Sequence, residues 1–206
     1  ADAAVGIGAG WTFPEEILRP NTVSARLRFG KFAIEPGVSL GGGGSGNKAT
    51  STRTIEGQPP VESSSENRAG DIDLSVGANV GYRLARRGPV DLAAIGGVSL
   101  GFGNETENLG VDDPANPHTV RTSTFSAALS WGIGVEWFFA KHLGLSASAT
   151  NPLLGYSSTS TREDETQTTG GANPTTITTV TQGSTGGTTI GVVFRPTVRA
   201  MFHLYF

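Results

Sequence analysis

Cysteine is absent from the sequence. Disulfide frameworks, thiol catalysis and Cys-based zinc sites are excluded with it, as suits a chain that passes through an oxidising periplasm. Charge is scarce: Asp, Glu, Lys and Arg make up 16% of the residues, against roughly 25% in ordinary soluble domains. The net charge of −3 gives no reason to expect a nucleic-acid partner. The lysines are Lys31, Lys48 and Lys141, all expected in turns or loops. No apolar run approaches the ~18 residues of a transmembrane helix. If the chain is a membrane protein, it must cross as a closed β-barrel, the other structure that satisfies its own backbone in lipid. No signal peptide is visible, and Ala1 reads as a mature terminus after its removal.

What the sequence does have is glycine, 30 of 206 residues, about twice the usual ~7%. It also has long alternation. In residues 189–206 every second residue is apolar: Ile190, Val192, Phe194, Pro196, Val198, Ala200, Phe202, Leu204 and Phe206. Period two over this length predicts a strand with different environments on its two faces. It exceeds the ~9–11 tilted residues that cross a bilayer as β-structure.

The same pattern recurs upstream. Residues 3–13 place Ala3, Val5, Ile7, Ala9, Trp11 and Phe13 on one face, and mostly glycine and alanine on the other. Val23 to Phe29, then Phe32 to Leu40, predict strands two and three around a tight turn at Gly30-Lys31. Residues 71–84, 90–103 and 125–137 predict strands four to six. Strand seven starts with Leu143, Leu145, Ala147 and Ala149 and is indistinct past Asn151-Pro152. With residues 189–206 this makes about eight strands in one domain, residues 1–206. Long connections at 41–70, 104–121 and 156–187 alternate with tight turns near Gly30, Gly88 and Lys141.

Alternation alone leaves two candidates, a membrane barrel and a soluble lipocalin-like barrel. The charges separate them. The apolar parity of the strands carries no Asp, Glu, Lys or Arg, while the other carries Arg26, Arg28, Glu35, Asp73, Arg83, Asp91, Glu136, Arg195 and Arg199. Their companions are Gly, Ser, Ala, Thr and Asn rather than the Lys and Glu of a solvent face. Small residues suit the interior of a narrow eight-stranded barrel. An Arg or Lys on the lipid face at midplane would cost roughly 2–4 kcal/mol. Aromatics fall into two rings, as interfacial girdles do. Phe29, Phe32, Tyr82, Trp137 and Phe206 form the ring at the turn end, and Trp11, Phe13, Phe102 and Phe125 the ring at the loop end.

On these patterns the whole chain resembles the small bacterial outer-membrane barrels of the outer membrane protein A and X type. The resemblance implies an all-β fold: an antiparallel up-and-down transmembrane β-barrel of about eight strands, with short periplasmic turns, long extracellular loops and both termini periplasmic. It implies contact with outer-membrane lipid and lipopolysaccharide. It also implies that the barrel-assembly machinery reads the last strand, with Phe202 and Phe206 as its signal.

For chemistry, the sequence predicts a lumen charge network of Arg26, Arg28, Glu35, Asp73, Glu136, Arg195 and Arg199. A two-residue turn at Gly30-Lys31 sets Arg26 opposite Glu35, a favourable cross-strand pair. Arg195 and Arg199 are expected to lie across the lumen over the glycine face of the first strand. Such charges line a conduction path or plug the barrel, and eight strands favour the plug. Some small outer-membrane barrels are lipid A deacylases with a His-x-Ser pair and a Glu; His118, His142 and His203 do not match that pattern. His203 is expected in the lumen, His118 and His142 in solvent. The acidic groups at 162–165 and 104–113 lack the ordered ligand spacing of a cation site. No catalytic residue, metal or cofactor is expected. The predicted role is non-enzymatic surface interaction through the long loops, with a possible protein partner there. A narrow pore for small solutes is the alternative, and a lipid-modifying enzyme a third class. Within the last loop, Thr175 to Thr181 has high β propensity. It is expected to pair with Ser157 to Thr161 and leave residues 162–174 as the tip.

Overall fold

A computed structural model of the chain describes residues 4–13, 21–53, 61–109, 117–169, 175–190 and 196–206. Their strands are β1 (Ala4–Phe13), β2 (Thr22–Phe29), β3 (Phe32–Arg53), β4 (Val61–Arg87), β5 (Val90–Leu109), β6 (His118–Ala140), β7 (Leu143–Thr169), β8 (Thr175–Ile190) and β9 (Thr197–Tyr205). Neighbours in sequence pair antiparallel from β1 round to β7, β9 pairs with both β7 and β1, and the ring closes. β8 and β9 lie end to end along the same edge of β7, β8 from Leu154 to Thr169 and β9 from Leu143 to Thr150. The wall therefore has eight staves, as the alternation predicts.

Tight turns set the register at one end. Phe29 pairs with Phe32 around Gly30, and Arg87 with Val90 around Gly88. Both glycines have positive φ, 62° and 60°. Glycine at the first central position of a two-residue hairpin gives the turn whose twist matches the strands. That fixes which parity faces in, because a slip of one residue would exchange the faces.

The barrel is polar inside and apolar outside. Ile7, Val23, Leu40, Val98, Ile133 and Phe202 are each more than half exposed on the outer face. Among the described residues the buried apolar side chains are Met201 and Tyr205, whereas Glu35, Asp91, Glu136, His203, Thr22, Ser24 and Ser146 are all buried. On β5 the outward apolar run from Val90 to Phe102 covers about 40 Å of strand at ~3.4 Å per residue. At a tilt of 35–45° this is roughly 30 Å of height, enough for a hydrocarbon core.

Two expectations are corrected. The long connections are mostly continued strand: β3 and β4 stay paired out to Arg53 and Val61, β5 and β6 to Leu109 and His118, β7 and β8 to Thr169 and Thr175. Lys48 thus lies in a strand. The Thr-rich segment does extend the last hairpin, but against Glu163 to Thr169 rather than Ser157 to Thr161, which pair with Gly187 to Gly183. The tip predicted at 162–174 therefore contracts, and residues 170–174 lie outside the described residues. The wall is also uneven. β1 ends at Phe13 and the β1–β2 ladder stops at the Gly10–Thr22 pair, so one side stands low while β3 to β8 rise well above it.

Candidate functional site

The turn end of the lumen holds a polar cluster built from five strands. On β2, positions 26 and 28 share the inward parity, and β3, β5, β6 and β9 bring Glu35, Asp91, Glu136 and Arg199 to the same level. Arg26 meets Glu35 at 3.2 Å and Glu136 at 3.5 Å. Arg28 meets Glu136 at 3.2 Å and hydrogen-bonds Asp91. Arg199 donates to Glu35, and His203 Nε2 lies 3.6 Å from the same carboxylate. The Tyr205 hydroxyl donates to Glu136. Each buried carboxylate thus faces several donors, the condition under which buried charge is tolerated. The cluster spans the lumen, since its members come from strands on opposite sides of the ring.

Two bulges refine it. A register shift between Arg83 and Ala85 lets both Arg83 and Arg86 approach Asp91, each at 3.6 Å. A second lies between Phe138 and Ala140, just past Phe138, which keeps the inward parity of Glu136 and stands opposite Gly144. Arg28 then lies over the Phe138 ring at 4.5 Å, a cation–π contact that holds the guanidinium in place. A bulge inserts one unpaired residue and so exchanges the faces beyond it.

The glycine face of β1 serves different residues from those expected. Gly6, Gly8 and Gly10 lie opposite Tyr205, His203 and Met201, while Arg199 pairs with Thr12. A side-chain carbon at Gly8 would sit 2.6 Å from the His203 ring, and one at Gly6 2.9 Å from the Tyr205 ring. The missing side chains make room for those two rings and for Met201, which is 1% exposed.

Arg26, Arg28, Glu35, Glu136 and Arg199 therefore come together. Asp73 stands apart at the loop end, beside Asp71 and Glu105, and Arg195 lies outside the described residues. Asp91, Arg83, His203 and Tyr205 complete the cluster and were absent from the predicted network. Their inward parity was a legible signal, as was that of Phe138, two residues past Glu136; the bulge that aims Arg86 was not. The predicted ring aromatics face outward. Phe29, Phe32 and Tyr82 pack in a row at the turn end, with Trp137 against Phe139. Phe102 and Phe125 pack together at the loop end, joined by Tyr156. Trp11 lies edge-on to Phe202, Phe206 is exposed at the turn end, and Phe13 is half-buried on the parity of Trp11 at the other.

The projecting sheet has a different chemistry. Its inward parity carries Asp71, Asp73, Glu105, Glu107, Glu163 and Glu165, and its outward parity Arg121 and the pairs Arg68–Glu66 and Arg162–Asp164. His118, expected in solvent, is bonded to Glu163 at 2.7 Å. His142 is exposed, with Nδ1 3.0 Å from the Tyr205 carbonyl oxygen. Among the described residues no group of His, Asp and Glu is arranged to hold a metal. Among the described residues β8 pairs with β7 alone, and beyond Leu40 β3 pairs with β4 alone. Among these residues both edges of the sheet are therefore open.

Several solved structures are similar over nearly the whole chain. A major outer membrane protein from Thermus thermophilus is 14% identical, with 99% of this chain and 98% of that chain covered and a TM-score of 0.47. For Ail, the attachment invasion locus protein of Yersinia pestis, the values are 10%, 99%, 96% and 0.41. For CarO2 of Acinetobacter baumannii they are 13%, 98%, 98% and 0.43. No curated protein matches the sequence. The family model described as the outer membrane protein beta-barrel domain matches residues 21–193.

Proposed function

The chain belongs to the outer membrane protein β-barrel domain family, and on that premise we propose that it is a non-enzymatic surface-interaction protein that docks a partner by strand addition to its projecting sheet. As a barrel of this family it sits in the outer membrane among its lipids. The proposed orientation puts the tight turns and both termini in the periplasm and the long hairpins outside, following the usual asymmetry of such barrels. Lipopolysaccharide then borders the loop-end aromatics, and the assembly machinery reads β9.

The observation that carries the reading is the open edge of β8. Exposed edges are ordinarily blunted by lysine, proline or inward charges, because unpaired backbone groups recruit other strands. β8 contains no charged residue and no proline. The opposite edge, on β3, is glycine-rich and carries Lys48. An unguarded, Thr-rich edge held clear of the barrel suits β-augmentation, in which backbone hydrogen bonds supply affinity and alternate side-chain positions supply selectivity. The charge cluster that crosses the turn end favours docking over conduction as the use of this barrel.

The test is to excise residues 160–183 and join Thr159 to Ser184 with a short turn. The shortened chain is expected to assemble normally. A labelled peptide with the sequence of residues 175–190 should bind the detergent-purified full barrel saturably and fail to bind the shortened one. Cells displaying the full barrel should adhere to surfaces that the shortened variant does not retain. Equal peptide binding and equal adhesion by the two would remove β8 from the function.

A further inference from the structure

We propose that the turn-end cavity of the lumen binds a phosphate-like oxyanion as counter-ion to positive charge that its own carboxylates leave uncompensated. The cavity measures about 40 Å³. Its lumen-facing walls carry four guanidinium groups, Arg26, Arg28, Arg83 and Arg199, against three carboxylates, Glu35, Asp91 and Glu136. The guanidinium groups exceed the carboxylates by one.

The carboxylates have no capacity left to neutralise the surplus. Glu35 already faces Arg26, Arg199 and His203; Glu136 faces Arg26, Arg28 and Tyr205; Asp91 faces Arg28, Arg83 and Arg86. Further along β4 the next lumen-facing carboxylate is Asp73, six residues beyond Asn79, or about 20 Å at ~3.4 Å per residue. A Debye length of about 8 Å at physiological salt screens it from the cluster. A surplus of buried charge inside a wall surrounded by lipid is costly unless a counter-ion accompanies it.

The donors suit an oxyanion. Arg26 Nε is buried and without a partner. Asn79, Ser146 and Ser148 line the same space and add neutral donors. Guanidinium forks match the oxygen spacing of phosphate better than any other side chain does. One water needs roughly 10–15 Å³ of such space, so the cavity takes three or four oxygen-sized groups, the size of a tetrahedral oxyanion. A larger ligand would have to leave its remainder outside the cavity. The site is independent of the projecting sheet; only its opening to the periplasm rests on the proposed orientation. The phosphate is either free or carried on a lipid head group.

Both sources are tested on the full chain in detergent, with heat-modifiable migration and circular dichroism as controls for folding. Inorganic phosphate is titrated calorimetrically at low ionic strength. Native mass spectrometry then compares retention of phosphatidylglycerol with that of phosphatidylcholine. The expected result is one phosphate per chain, with affinity reduced about ten- to hundredfold by Arg83→Gln, the worth of one charge-assisted hydrogen bond. Arg26→Lys, which keeps the charge and removes the unpartnered Nε donor, gives the same readout if Arg83→Gln does not fold. Retention of one phosphatidylglycerol but not phosphatidylcholine, lost in the same variants, assigns the phosphate to lipid. Absence of both kinds of binding, or binding that neither substitution weakens, overturns the proposal.

Discussion

At the turn end, Glu35, Asp91 and Glu136 are 3–6% exposed and each is met by several cations. At the loop end, Asp71 and Glu105 stand directly opposite one another across β4 and β5, with no cation paired to either among the described residues. The first arrangement is forced by lipid. A closed wall inside hydrocarbon leaves its inward charges no water to turn to, so each must be paired or absent. The second is permitted by solvent, where like charges cost little and repel only weakly at high dielectric. The outward faces show the same contrast. β5 is apolar from Val90 to Phe102 and then carries Asn104, Thr106 and Asn108 on the same parity. The membrane constrains only the lower part of each strand, and above it the chain is selected for something else.

This contrast is open to attack in three places. The largest effect is expected from charging the outward face of β9. Phe202→Asp combined with Phe206→Asp should prevent assembly, leaving no heat-modifiable barrel in the outer membrane. Ile177→Asp with Val180→Asp, on the projecting β8, should leave assembly unchanged. Equal losses from both pairs would show that the two ends are not distinct. Next in size is removal of a shared carboxylate. Glu136→Ala removes one carboxylate each from Arg26 and Arg28 and leaves the buried Tyr205 hydroxyl without its acceptor, and should destabilise the barrel by about 3–5 kcal/mol, read from urea unfolding in lipid vesicles. Glu163→Ala, on the projecting sheet, should cost about 0–1 kcal/mol. The smallest effect has the opposite sign. Asp71→Asn relieves a directly opposed like-charge pair and should stabilise by about 0.2–1 kcal/mol, a gain that shrinks as salt is raised. A loss on Asp71→Asn would mean that this carboxylate has a partner.

Legibility in the sequence follows the same division. Where lipid enforces period two, the faces of β1 to β6 and the Arg26–Glu35 pairing could be read from the residues. The lower part of β7 was equally plain. Past Asn151-Pro152 it was not, because a register shift between Leu129 and Ser130 on β6 lets Leu153 and Leu154 both face out. A bulge costs one residue and leaves no periodic mark. For the same reason Arg86 could not be assigned to the lumen. The hairpin extensions were missed on different grounds. Residues 41–53 and 175–190 are Gly, Ser and Thr with few apolar positions, so water on both faces leaves no alternation to detect. Their pairing comes from continuing ladders that the membrane part has already set in register.

The charge cluster also bears on the order of events during folding. Its bonds join residues far apart in the chain: Arg199 and Glu35 are separated by 164 positions, Tyr205 and Glu136 by 69, Arg28 and Asp91 by 63. Contacts of such separation form late, after most of the loop-closure entropy has been spent. Two of these pairs require β9, which completes the ring by meeting β1. Until that seam closes, Glu35 and Glu136 lack the Arg199 and Tyr205 donors they need to leave water. Interactions absent from the transition state slow unfolding without hastening folding. The cluster therefore acts as a latch, engaged when the seam between β9 and β1 closes, and the lifetime of the closed barrel is expected to be more sensitive to these residues than its rate of formation.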